Sequence, residues 1–275
     1  MKPFAYTAAP ARVVFGAGAL QHLGREIAAL GARRALVLST PEQQESALRV
    51  AALLGERAAG VYAEARMHVP IETARGARAE ARRVGADCAV AIGGGSTTGL
   101  GKAIALEASL PVVAVPTTYA GSEMTTVYGL TDAGMKTTGR DDRVLPRTVV
   151  YDPELSASLP FAITVTSLLN AVAHAAEGLY APDRNPLIEA MAEEGIRIAA
   201  DAMPRLQRDP GDIAARGDAL VAGWLCGTVL GSITVGLHHK LCHTLGGSFD
   251  LPHADVHAVI RRRRWRTTRR PPRRR

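Results

Sequence analysis

Cysteine is scarce: Cys88, Cys226 and Cys242 are the only three in 275 residues, and no two form a CxxC pair. Neither a disulfide framework nor a cysteine zinc site is therefore expected, and the three read as reduced thiols of the core. Long apolar runs are also missing. No stretch approaches the ~18 residues of a membrane span, and the N-terminal MKPFAYTAAPARVVFG lacks the apolar core of a signal peptide. A soluble, cytoplasmic protein without a membrane partner is expected. Acidic residues do not balance the C-terminal end: residues 261–275 hold ten arginines and no Asp or Glu. Taking those ten charges from the formal +7 of the whole chain leaves −3 for residues 1–260. The body thus has no basic excess, and a specific nucleic-acid partner is not expected.

What is present is ample for two domains at roughly 100–200 residues each. Up to about residue 155, short apolar runs alternate with amphipathic segments. Residues 11–16, 33–40, 60–63, 88–96 and 111–118 read as strands. Residues 19–30, 41–54, 71–84 and 97–108 read as the helices between them. Such alternation predicts a parallel sheet covered on both faces. TTVYGLTD (125–132) and RTVVYDP (147–153) read as extended segments less firmly tied to that sheet. From about Leu159 the period lengthens to about 3.6, and 161–181, 185–206 and 212–233 read as long helices broken by PDRNP and RDPGD. The expectation is an α/β domain over 1–158, an all-α domain over 159–260 and a separate Arg-rich tail over 261–275.

Two constellations carry chemistry. AIGGGSTT follows a buried strand and opens a helix, so its backbone N–H groups can face a pyrophosphate. It is neither G-x-G-x-x-G, since Thr98 stands where the third glycine belongs, nor a Walker loop, since Ala103 follows Lys102. A tight turn without a ligand is the competing explanation. VPTTYAGSE (115–123) adds hydroxyls at the end of the next strand. In the helical half, Asn170 and His174 are four apart, as are His239 and His243, and His253 follows beyond a Gly-Gly break. Each pair shares one face if its segment is helical. Taken singly, these histidines fit satisfied core positions; together they read as walls of a cleft. HExxH is excluded because Lys240 takes the place of the glutamate.

AIGGGSTTGLGK, VPTTYAGSE, GMKTTGRDDRVLPRTVVYDPEL, LLNAVAHAAEGLYA and HHKLCHTLGGSFDLPHADVHAV occur in one order and spacing. In them the chain resembles the maleylacetate reductase branch of the iron-containing alcohol dehydrogenase superfamily, over residues 1 to about 260. The resemblance implies the dehydroquinate synthase-like fold: a dinucleotide-binding α/β domain, an all-helical domain and a site between them. It implies that Gly94, Gly95 and Ser96 hold the cofactor pyrophosphate and that Thr117, Thr118 and Lys136 line the nicotinamide ribose side. Many relatives place an Asp after the second strand to engage the adenosine ribose. Ser39 and Thr40 stand there here, so NADH and NADPH are both expected as cofactors.

An Asp and three His bind the metal in metal-dependent relatives, and the matching positions are Asn170, His174, His239 and His253. A neutral amide in place of the carboxylate lowers the affinity for a dication, so no metal requirement is expected. The resemblance further implies a dicarboxylate substrate, maleylacetate, and a homodimer. His243 and His253 are expected to stabilise the enolate left by hydride transfer and to supply its proton, and His174, His239 and Lys240 to face the substrate carboxylates. A metal-dependent alcohol dehydrogenase of the same superfamily and a cofactor-binding remnant without turnover are the alternatives.

After HAVI the resemblance would continue as LPHAVAYN, then further helices. The codons of Trp265–Thr268 can be written TGG CGT ACA ACG, and the same bases read one step earlier spell Val-Ala-Tyr-Asn. A frameshift near codon 261 is the expectation, with an incomplete helical domain and an impaired enzyme as its consequence.

Overall fold

Strands built from Val, Ala and Leu on both faces belong where a sheet is covered on both sides, and that is where they lie in the computed structural model. It describes residues 4–7, 11–234 and 236–249 and the positions Leu251, Asp255, Val256 and Val259. Six strands, β1 (Arg12–Phe15), β2 (Ala35–Leu38), β3 (Ala58–Tyr62), β4 (Cys88–Gly93), β5 (Val112–Pro116) and β8 (Thr148–Tyr151), form one parallel sheet in the order β1-β8-β5-β4-β2-β3. Helices α1 (Leu23–Ala29), α2 (Gln44–Leu54), α3 (Ile71–Arg83) and α4 (Gly95–Ala108) connect them. Leu36, Val37, Val90, Ile92, Val113 and Val115 are buried, on one face against α1 and α2 and on the other against α3 and α4.

Two extended segments separate here. RTVVYDP enters the main sheet as β8, between β1 and β5. TTVYGLTD becomes β6 (Val127–Asp132), which pairs outside that sheet with β7 (Met135–Arg140), a strand not foreseen. The turn between them is made by Ala133 and Gly134, both at positive φ. The expected 19–30 helix divides into a 3-10 turn, Ala19–His22, and α1. Its start is fixed by Asp152, which accepts from the N–H groups of Gly18 at 3.2 Å and Leu20 at 3.0 Å.

The second half is helical: α5 (Phe161–Gly178), α6 (Pro186–Arg208), α7 (Ile213–Gly231) and α8 (Leu237–Phe249). Asn185 caps α6 by accepting from Leu187 and Ile188, and Asp212 caps α7 by accepting from Ala215. The expected break at Gly246-Gly247 does not occur, because α8 runs on to Phe249. By length and apolar content α7 could cross a membrane, but it is a core helix here. Leu220 and Ala222 pack with Leu168 and Val172 of α5, Ala199 of α6 and Tyr151 of the sheet. Cys88, Cys226 and Cys242 are buried free thiols.

The two halves interlock through the loop after β5. A Cβ on Gly227 of α7 would stand 2.4 Å from the Gly121 carbonyl oxygen, and one on Gly223 would stand 3.2 Å from that of Tyr119. Gly121 itself needs φ +72, a conformation glycine adopts without strain. Fully buried Arg216 adds donation to the Tyr119 hydroxyl at 3.0 Å, to Thr164 at 2.8 Å and to the Leu159 carbonyl at 3.0 Å. Gly227→Ala is expected to cost roughly 2 kcal/mol or more by forcing loop and helix apart. A urea midpoint equal to that of the parent chain would show that this contact does not hold the halves together.

Candidate active site

The sheet order sets where a ligand can enter. From β2 the chain moves outward to β3, whereas from β4 it moves the other way to β5, so a crevice opens at the carboxyl ends of β2 and β4. The glycine turn occupies that place. Gly93 has φ +150, and a Cβ there would meet Thr97 Oγ1 at 2.5 Å and Gln43 Oε1 at 2.7 Å. Gly94 is the N-cap of α4, with Thr118 Oγ1 at 3.2 Å from the place its Cβ would take. The first N–H groups of α4, from Gly95 and Ser96 onward, lie beyond helical pairing and carry the positive end of the helix dipole. Buried Thr97 Oγ1 has no hydrogen-bond partner among the described residues. Small residues, free donors and an unused hydroxyl fit a phosphate-bearing ligand, and sequence reading missed Thr97.

The flanking residues fall out differently. Thr117 is buried beside the turn, its hydroxyl accepting from Gln43 Nε2 at 2.9 Å. Ser39 lies at the end of β2, but it is fully buried and its hydroxyl donates to the Thr40 carbonyl at 3.0 Å. It therefore shapes the crevice by leaving out a carboxylate, not by offering a donor. Lys136 stands on β7 opposite Thr131, and burial lowers its ammonium pKa. Lys102, from the same motif as the glycine turn, braces the loop after β5. Its ammonium donates to the carbonyls of Ser122 (2.7 Å), Thr125 (2.8 Å) and Val127 (2.7 Å) and to Thr125 Oγ1 (2.9 Å). Burial brings its pKa down to about 7.

That loop connects the glycine turn to the histidines. Tyr119, next to Thr118, donates its N–H to Ser167 Oγ of α5 at 2.8 Å, and Asn170 and His174 follow on the same helix. The ring of His174 lies 5.0 Å from that of His239 on α8, centroid to centroid, and Asn170, His174, His238 and His239 are all buried. The structure thus brings His174 and His239 together, with Asn170 one turn before His174 on α5. Lys240 is exposed on α8. His243 belongs to α8, but its side chain lies outside the described residues, as does His253 altogether.

The residue that organises the cluster is Glu177, which sequence reading also missed. Its buried carboxylate accepts from His239 Nδ1 at 2.8 Å, from the N–H groups of Gly236 (2.9 Å), His238 (2.8 Å) and His239 (3.3 Å), and from the Tyr180 hydroxyl (2.8 Å). Burial alone would raise its pKa. The hydrogen bond and charge of His239, with the Gly236 and Tyr180 donors, outweigh burial and hold it at about 2. Only its place three residues after His174, a lone acid in an Ala-rich helix, marks it in the sequence.

A family model described as iron-containing alcohol dehydrogenase matches residues 10–153, and the C-terminal model of the Fe-containing alcohol dehydrogenase family matches 164–274. The chain belongs to the iron-containing alcohol dehydrogenase family. It is 67% identical to a maleylacetate reductase from Burkholderia cepacia over 260 residues, 94% of this chain and 74% of that protein. The crystal structure of a maleylacetate reductase from Agrobacterium tumefaciens superposes with a TM-score of 0.91 at 57% identity, covering 94% of this chain and 74% of that one. That from Rhizobium sp. strain MTP-10005 gives 0.91 at 56% identity with the same coverage. As a member of this family the chain is an oxidoreductase with a nicotinamide cofactor, and the glycine turn, the α4 N-terminus and Thr97 fit its phosphates.

Iron is the group the family name implies, and the residues described here fit it poorly. Asn170, His174 and His239 are a neutral amide and two imidazoles, and the nearby Glu177 carboxylate is fully engaged by donors. Among the described residues no three His, Cys, Asp or Glu groups are placed to share an ion. With no free anionic ligand among the described residues, little there offsets the desolvation of a dication.

Glu177 yields a pH prediction. A carboxyl held near 2 in the fold and about 4.3 in the unfolded chain stabilises fully above the unfolded value and stops doing so as pH falls through the folded one. Glu177→Gln is expected to cost roughly 3 kcal/mol at neutral pH, with the gap to the parent closing between pH 4 and pH 2. Denaturation curves across that range check it; a gap independent of pH would show that the Glu177 charge is not what matters.

Proposed function

We propose that this chain reduces maleylacetate to 3-oxoadipate with NADH or NADPH and without a catalytic metal ion, in the cytoplasm and as a homodimer. The observation that carries the reading is Asn170, a buried neutral amide one turn before His174 on α5, in a chain 67% identical to a maleylacetate reductase. A plain carbonyl benefits from a Lewis acid before hydride arrives, whereas a double bond conjugated to a ketone and a carboxylate is already electron-poor. A nicotinamide, when bound, would supply hydride to the alkene carbon β to the ketone; the alkene π pair would become the enolate double bond and the carbonyl π pair would move onto the ketone oxygen.

The chain's residues have three tasks. Gly94, Gly95 and Ser96 seat the pyrophosphate at the α4 N-terminus, and Thr117, Thr118 and Lys136 define the ribose side. His174, His239 and Lys240 face the substrate's two carboxylates with donors and positive charge. His243 or His253 gives the proton that converts the enolate to the ketone, imidazole titrating in the useful range.

Nicotinamide oxidation is expected with maleylacetate and to persist in EDTA. Asn170→Asp is expected to raise the iron or zinc bound per chain, read by elemental analysis independently of turnover. Activity abolished by EDTA and restored by iron would favour a metal-dependent alcohol dehydrogenase instead. Cofactor binding without turnover would make the chain a remnant.

A further inference from the structure

The last carbonyls of α7 and the first N–H groups of α8 lie beyond helical pairing, and side chains from three other places complete the turn between them in order of sequence. Arg140, at the end of β7, donates to the carbonyls of Gly231 at 3.0 Å and Ile233 at 2.7 Å, with Leu230 at 3.5 Å. Asp183 Oδ2 accepts from both the N–H and the hydroxyl of Thr234 at 2.8 Å. Glu177 accepts from Gly236, His238 and His239. The signs follow the helix dipoles, a cation on the carbonyl end of α7 and a carboxylate on the N–H end of α8. His239 sits in the first turn of α8, so its backbone is placed by this junction before its ring is oriented by Glu177.

We propose that Arg140 is a positioning residue for His239. It acts from the β6–β7 hairpin, through the α7–α8 turn, to hold the His239 ring against Glu177 and beside His174. The other end of the hairpin is fixed to the α/β half. There Thr131 donates its N–H to the Val69 carbonyl at 3.1 Å and its hydroxyl to the His68 carbonyl at 2.8 Å, and Thr131 pairs with Lys136. One hairpin therefore carries Lys136 and latches the turn that leads to His239. The consequence for turnover rests on the proposed reductase reading; the consequence for the His239 ring does not.

The test uses the full chain with Arg140→Ala and Arg140→Lys. For Arg140→Ala, kcat with maleylacetate is expected to fall about tenfold, as small displacements of a reacting group do, while the Kd for NADH stays within about twofold. Arg140→Lys, a single point donor in place of a fork, is expected to fall between the two. Nitrogen-15 spectra of the imidazoles are expected to show His239 protonated at Nδ1 in the parent and exchanging between tautomers in Arg140→Ala. If the parent chain shows no turnover, the reductase reading fails and the imidazole spectra still decide the latch. If Arg140→Ala does not fold, Arg140→Lys is read in the same way. Unchanged His239 signals in a folded variant would overturn the proposal, as would kcat, NADH affinity and the unfolding midpoint falling together.

Discussion

The helical half of the site depends on one buried anion. The Glu177 carboxylate lies where α8 begins and takes the N–H groups of Gly236, His238 and His239 together with the Nδ1 proton of His239. A carboxylate so deeply placed would be costly if it were alone. Here its donors do two jobs at once: they solvate the charge, and in doing so they hold the start of α8 and anchor the His239 ring by Nδ1. With Nδ1–H committed to Glu177, Nε2 is left on the opposite side of the ring from the carboxylate. The stability of the helix start and the chemistry of the ring are thus one interaction.

The α/β half depends on a different economy, that of space. The glycine turn works because side chains are absent at Gly93 and Gly94, and the loop after β5 reaches α7 because they are absent at Gly121, Gly223 and Gly227. Lys102 then supplies from inside what a short loop cannot supply for itself, an ammonium for three carbonyls and a hydroxyl. The loop so braced runs from Thr117 and Thr118 to Tyr119, whose N–H meets Ser167 one turn before Asn170. The cofactor turn and the histidine cluster are therefore set by the same few residues, and a displacement of that loop would be felt in both halves.

The sequence shows some of this directly and hides the rest for identifiable reasons. ALVL, CAVAIG and VVAVP read as strands because burial on both faces leaves no polar interruption. MKTTGR (β7) does not read as a strand because it is largely exposed and polar, and its turn uses Ala133, a residue that seldom takes positive φ. Asn170 and His174 could be paired by their spacing alone, since both lie on α5. Glu177 could not be paired with His238 or His239, because those donors come 61 and 62 residues later and are reached only through the packing of α8 on α5. Arg140 is hidden for the same reason, its acceptors lying about 90 residues on.

Charge placement ties these features to the kind of ligand the cleft can accept. A carboxylate at position 170 would stand one helical turn before His174 on α5 and would serve a dication better than a dianion. With Asn170 there, the acid nearest the described cluster is Glu177, set behind His239 and surrounded by donors. The field of that charge is largely taken up by the α8 N-terminus and the imidazole. The rest of the cluster is imidazole and amide, with the exposed ammonium of Lys240 farther along α8. None of these groups is an anion, and among the described residues Glu177, already solvated by its donors, is the negative charge of the cluster.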